Sequence, residues 1–168
     1  SNALKEAIEY AEENGVIVIA CGGNYGDSRP SPDSIPGKYN TTLAVGNIRK
    51  DDSISPSSSF NELIDIVAPG TDILSTTLEN KYEEYSGCSM ATPHVSAIVA
   101  IMLQVDPDLK PQDIREILKK TSTDMGSPGK DNSFGYGKLN TLGALNEIYS
   151  LAKLIQISLL IAIVISLI

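Results

Sequence analysis

Histidine is almost missing from this chain: its 168 residues include one, His94, beside two cysteines, Cys21 and Cys88. So few donors, so far apart in sequence, fit none of the spacings of a zinc or other transition-metal site, and no metal or cofactor is assigned. Two thiols also give no disulfide framework, and whether they approach each other cannot be read from sequence. Positive charge is scarce as well. Thirteen Lys and Arg against 21 Asp and Glu leave a net charge of −8 with no basic cluster, which argues against a nucleic-acid partner. Ser1-Asn2-Ala3 reads as a cloning scar with no signal peptide after it, so the chain is expected to come from a longer protein.

What is present is enough for one domain with a sizeable core, spanning residues 4–150. Leu4, Ala7, Ile8 and Ala11 recur at helical spacing between charged residues, so an amphipathic helix is expected over 4–14, ended by Asn14-Gly15. Val16 to Ala20 is an unbroken apolar run, the pattern of a parallel strand covered on both faces. Helix followed by buried strand is one unit of an α/β fold. Further strands are expected at 42–46, 64–70, 73–76 and 81–86. Arg49 to Ser59 reads as a solvated, serine-rich loop, and Asp51-Asp52 within it lacks the additional ligands a calcium site needs. Pro111 opens a helix that buries Ile114, Ile117 and Leu118, and Asn140 or Thr141 caps a last helix reaching Tyr149.

The densest chemical signal is Ser86-Gly87-Cys88-Ser89-Met90-Ala91-Thr92-Pro93-His94-Val95, followed by an apolar helix to Val105 that stops at Asp106-Pro107. Gly87 permits a sharp strand-to-helix turn. Ser89 then falls in the first helical turn, where backbone N–H groups lack intrahelical partners and negative charge is favoured. Pro93 is read as part of that opening turn. A serine hydroxyl needs a base to become a nucleophile, and His94 is wrongly placed for it. Five residues along a helix amount to a turn of about 140° and a rise of roughly 7.5 Å. His94 is therefore read as a packing and hydrogen-bonding residue. Earlier in the chain, Cys21-Gly22-Gly23-Asn24-Tyr25-Gly26 closes the first strand, a place where open α/β sheets hold ligands. From the residues alone, Asn24 is a turn asparagine and Tyr25 an exposed loop aromatic.

Gly87-Cys88-Ser89-Met90-Ala91-Thr92-Pro93-His94-Val95 resembles the nucleophile motif of the subtilisin-like serine proteases, the subtilases, usually Gly-Thr-Ser-Met-Ala-Ser/Thr-Pro-His-Val. Cys88 is the departure, standing where the family has threonine. The resemblance extends to Gly23-Asn24, to Ile35-Pro36-Gly37-Lys38-Tyr39, to Val67-Ala68-Pro69-Gly70 and to the turn from Gly135 to Asn140. It implies the C-terminal half of a catalytic domain: a partial subtilisin-like α/β fold with a mostly parallel sheet flanked by helices. The implied activity is that of a serine endopeptidase acting on protein or peptide substrates. Ser89 would be the nucleophile and Asn24 the oxyanion donor, with the Asp and His of the triad supplied by the missing N-terminal half. The chain alone would then be inactive.

Gly22, Gly23, Tyr25 and Ser34 are assigned to substrate binding by the same resemblance, and the bond from Ile35 to Pro36 is expected to be cis. A weak thiol donor at Cys88 would weaken the oxyanion hole modestly. An extracellular or cell-surface location is implied too. An α/β-hydrolase elbow, Gly-x-Ser-x-Gly, fits less well, because Ala91 stands in place of its second glycine and no suitable histidine follows. A non-catalytic pseudoprotease or assembly module is the alternative outside enzymology.

One long apolar run remains, from Leu151 to Ile168, broken only by Lys153, Gln156, Ser158 and Ser166. Its length meets the threshold of about 18 residues for a membrane span. No Lys or Arg follows it to mark a cytoplasmic flank, although Lys153 could snorkel. The other reading is a long apolar C-terminal helix that packs on protein. A second copy of the chain, joined through the exposed core face or this tail, is a further candidate partner.

Overall fold

The computed structural model describes residues 2–26 and 35–150. The expectations placed on Ser34 and on the run 151–168 lie outside the described residues. Helix α1, Asn2–Glu13, starts earlier than the periodicity indicated, so Asn2 and Ala3 stand in its first turn. Only Ile8 of its apolar stripe is buried. Strands β1 (Val18–Cys21), β2 (Thr42–Ile48) and β3 (Ile66–Pro69) form a parallel sheet in the order β1-β2-β3, with Val18 opposite Thr42 and Val45 opposite Ile66. β2 is central and buried along its whole length. That is what a parallel strand covered on both faces requires.

β1 departs from its expectation. Its apolar run suggested cover on both sides, yet it is the edge of the sheet, its residues are mostly half-buried, and Val16 just before it is 54% exposed. Along that edge runs an open groove of about 600 Å³, lined by Val16, Ile17, Val18, Val99, Ala100 and Leu103. The hydrophobic run is therefore real, but the described residues leave its outer edge open along the groove.

The expected fourth and fifth strands pair with each other rather than with the sheet. β4 (Ile73–Thr77) and β5 (Lys81–Tyr85) make an antiparallel hairpin in which Ile73 opposes Tyr85. Its tip, Leu78–Asn80, takes positive φ at Glu79 and Asn80, and Leu78 is 85% exposed.

Helix α2, Cys88–Val105, crosses the sheet and buries Ala91, Val95, Val99 and Met102 against Leu43, Val45, Ile66 and Ala68. These positions recur every three or four residues, one stripe of an α-helix. Helix α3, Pro111–Thr121, adds Ile114, Ile117 and Leu118, and residues 141–150 are helical and add Ala144 and Ile148 to the same core. The Asn140 carboxamide accepts the Gly143 N–H at 2.9 Å, the expected cap on that last helix.

Candidate functional site

β1 ends at Cys21, and the chain leaves the sheet through Gly22 and Gly23 into an exposed Asn24 and Tyr25. Both glycines are buried. The Gly22 N–H donates to the Val45 carbonyl at 2.8 Å, and the Gly23 carbonyl accepts the Ser59 N–H at 3.0 Å. The two glycines thus carry the loop through backbone hydrogen bonds, while Asn24 and Tyr25 are the residues that present side chains. Tyr25 is 50% exposed, and its backbone N–H donates to Ser59 Oγ at 3.3 Å.

The serine-rich stretch read as solvated is exposed from Arg49 to Asp52, as expected, but turns partly inward from Ser55 to Ser59. Ser55, Ser58, Ser59 and Asn61 are all buried. Ser58 Oγ accepts the Asn47 N–H of β2 at 3.0 Å, and the Ser57 carbonyl accepts the Gly26 N–H at 3.1 Å. Small hydroxyl residues can be buried when their polar atoms meet backbone groups, and here those groups belong to β2 and to the loop carrying Asn24. The only sequence signal for this cradle was the crowding of serines itself. Asp51 and Asp52, in the same stretch, hold a turn and an ion pair: Asp51 accepts from Ser53, and Asp52 meets Lys138 Nζ at 2.6 Å. Among the described residues, no cluster of three His, Cys, Asp or Glu is placed to hold a metal.

On the other side of the loop lies the mouth of α2. Asn24 Oδ1 accepts the Cys88 N–H at 2.8 Å, which satisfies one of the helix's orphan donors, and Asn24 Nδ2 faces Cys21 Sγ at 3.9 Å. Ser89, the next residue, is exposed, and neither its hydroxyl nor its backbone N–H has a hydrogen-bond partner among the described residues. An unengaged hydroxyl, an unengaged helix N-terminal N–H and a carboxamide thus share one opening, a setting that favours developing negative charge. His94 is not part of it. Its Nδ1 lies 2.9 Å from the Met90 carbonyl of its own helix.

Pro93 is placed differently from its reading. α2 begins at Cys88, so the nitrogen of Pro93 would have faced the Ser89 carbonyl, and the ring removes that helical bond. The bond from Ile35 to Pro36 is cis, as the resemblance implied. Sequence could not decide whether the cysteines meet. They do: Cys21 and Cys88 form a disulfide, with Cα atoms 5.1 Å apart, inside the usual range for such a bond. Cys88 consequently offers no thiol donor to the opening.

Close approach at the opening depends on two glycines. Gly87 has φ of +154°, and a Cβ there would press on the Asn24 carboxamide at 3.3–3.4 Å. A Cβ at Gly70 would lie 2.6 Å from Asn47 Oδ1 and 2.7 Å from the Gly87 carbonyl. Gly70→Ala is therefore expected to cost about 1–3 kcal/mol, the usual range for forcing atoms into a filled site. Urea unfolding followed by circular dichroism measures it, and a change within about 0.5 kcal/mol would mean that β3 and α2 shift apart freely.

Comparison with known proteins gives a consistent result. The family model of the subtilases matches residues 1–137. Minor extracellular protease Epr of Bacillus subtilis (strain 168) is 36% identical over 137 residues, covering 82% of this chain and 21% of that protein. Subtilisin DY of Bacillus licheniformis is 36% identical over 140 residues, covering 82% of this chain and 49% of that protein. The chain thus spans less than half the length of these curated relatives. Among solved structures, a prenylagaramide maturation protease superimposes with a TM-score of 0.79 at 29% identity, over 88% of this chain and 56% of that one. A lanthipeptide protease superimposes with a TM-score of 0.78 at 24% identity, over 88% of this chain and 55% of that one, a likeness of fold. Sequence match and backbone agree over nearly all the described residues, and the chain belongs to the subtilase family.

Proposed function

We propose that this chain is the nucleophile-bearing part of a serine endopeptidase, in which Ser89 attacks the peptide carbonyl. Asn24 Nδ2 and the Ser89 N–H receive the resulting oxyanion. The observation that carries this reading is the exposed, unpartnered Ser89 hydroxyl one residue from the N–H that anchors Asn24. The base and its orienting carboxylate come from a further segment, because the chain's one histidine is engaged on its own helix. The groove beside β1 fits such a segment. An unpaired parallel edge next to exposed apolar side chains accepts another strand and its hydrophobic cover. Peptide substrates follow from the protease relatives. An extracellular setting follows from the printed name of Epr and suits a disulfide, which persists in oxidising compartments.

A fluorophosphonate probe tests the proposal. The full-length parent is expected to be labelled at Ser89, identified by peptide mass, with labelling abolished in Ser89→Ala and lacking in the present chain alone. A folded parent that takes no label, or takes it elsewhere, makes the non-catalytic reading the correct one.

A further inference from the structure

The Cys21–Cys88 bond lies between the two halves of the site. Cys21 is the last residue of β1 and Cys88 the first of α2; Asn24 follows the one closely and Ser89 directly follows the other. The sulfur bridge and the Asn24 Oδ1 to Cys88 N–H bond close a small ring: from Cys21 through Gly22 and Gly23 to the Asn24 side chain, across to Cys88 and back. Asn24 Nδ2 also stands 3.9 Å from Cys21 Sγ within that ring. On its far side the loop is held by Val45, Ser57 and Ser59. On the near side the bridge and the single hydrogen bond are its ties to the helix.

We propose that this disulfide is a positioning element for the oxyanion hole. Two consecutive glycines give the loop more backbone freedom than any other pair of residues would, and the ring removes that freedom where the carboxamide must point. It also occupies the side chain at 88, so the hole has Asn24 Nδ2 and the Ser89 N–H as its donors. The proposal rests on the oxyanion role assigned above, but its physical content is the orientation of Asn24, which can be measured without catalysis.

The experiment is nitrogen-15 NMR of this chain before and after treatment with dithiothreitol. The disulfide takes up two electrons and two protons to become two thiols, while the reagent's two thiols become its cyclic disulfide. After reduction, exchange of the Cys88 amide hydrogen is expected to speed up at least about 10-fold. The Asn24 Nδ2 proton resonances should move to the values of a free carboxamide, with the β2 amides unchanged. Cys21→Ser/Cys88→Ser, examined without reductant, should reproduce both changes and serves if the buried sulfur of Cys88 resists the reagent. In the double variant, Asn24 Nδ2 resonances and a residue-88 amide exchange rate that stay as in the parent chain overturn the proposal. So do losses of equal size in β2, which would make the bridge a general cross-link. Neither result alters the fluorophosphonate outcome, so the two readings fail separately.

Discussion

Asn24→Ala, introduced into the full-length parent, is expected under the proposed function to lower kcat by about 10²–10³-fold, equivalent to about 3–4 kcal/mol of barrier, while KM stays within about three-fold. A donor aimed at charge that exists only in the transition state contributes little to holding the substrate, which separates this outcome from a loss of the binding cleft. Alanine also removes the acceptor for the Cys88 N–H, so a second substitution is informative. Asn24→Asp keeps an oxygen for that N–H, removes the amide donor and places a negative charge where the oxyanion forms. Its kcat should fall at least as far as that of Asn24→Ala, with the unfolding midpoint nearer to that of the parent. Steady-state kinetics on a peptide anilide, read beside thermal unfolding, checks both. A kcat within about three-fold of the parent for Asn24→Ala would remove Asn24 from the chemistry.

Arg115→Ala is expected to destabilise the chain by about 2–4 kcal/mol. Arg115 of α3 reaches Glu12 of α1 through both terminal nitrogens, one at 2.7 Å, and donates to the Thr41 carbonyl at 3.2 Å. The two side chains are only 10% and 19% exposed. Breaking a fully buried pair costs about 3–5 kcal/mol, because the survivor is left as an uncompensated charge, and the residual exposure of Glu12 reduces that figure. Little else fastens α1, whose one buried residue is Ile8. Urea unfolding by circular dichroism measures the loss. Arg115→Met with Glu12→Leu should recover part of it by exchanging an orphaned charge for apolar contact.

The sign of the pH dependence follows from the guanidinium. The hydrogen bonds it donates to the Glu12 carboxylate raise its pKa above the ordinary arginine value. A raised folded value means that the contribution is complete at every pH below the unfolded value. It is lost only as pH rises through the higher folded one, so the penalty of Arg115→Ala should be unchanged on the alkaline side of neutrality.

Much of the architecture was legible because it rests on local periodicity. Ile114, Ile117 and Leu118 announced the buried face of α3, and the run from Thr42 to Gly46 announced the strand β2. The turn at Gly87 placed Ser89 at a helix start from chemistry alone. Ser55 to Ser59 resisted such reading, since a hydroxyl residue looks the same in sequence whether water or a backbone amide satisfies it. The cysteine pair and the Arg115–Glu12 pair were illegible for a different reason: their partners lie 67 and 103 residues apart, and only the assembled fold brings them together. β1 was misjudged because periodicity reports what a strand could bury, not which neighbour is there to bury it. The role proposed for Asn24 rests on family likeness, since Gly-Gly-Asn in the sequence signals only a turn.

The β4–β5 hairpin is clasped at its foot. Ser86 Oγ accepts the Asp72 N–H at 2.9 Å and donates to its carboxylate at 3.2 Å, and the Gly87 N–H donates to the Gly70 carbonyl at 2.7 Å. The two strands are thereby knotted together directly before the turn into α2. The exposed tip around Leu78 is therefore joined to the turn carrying Ser89 through a hydrogen-bonded base rather than a free linker.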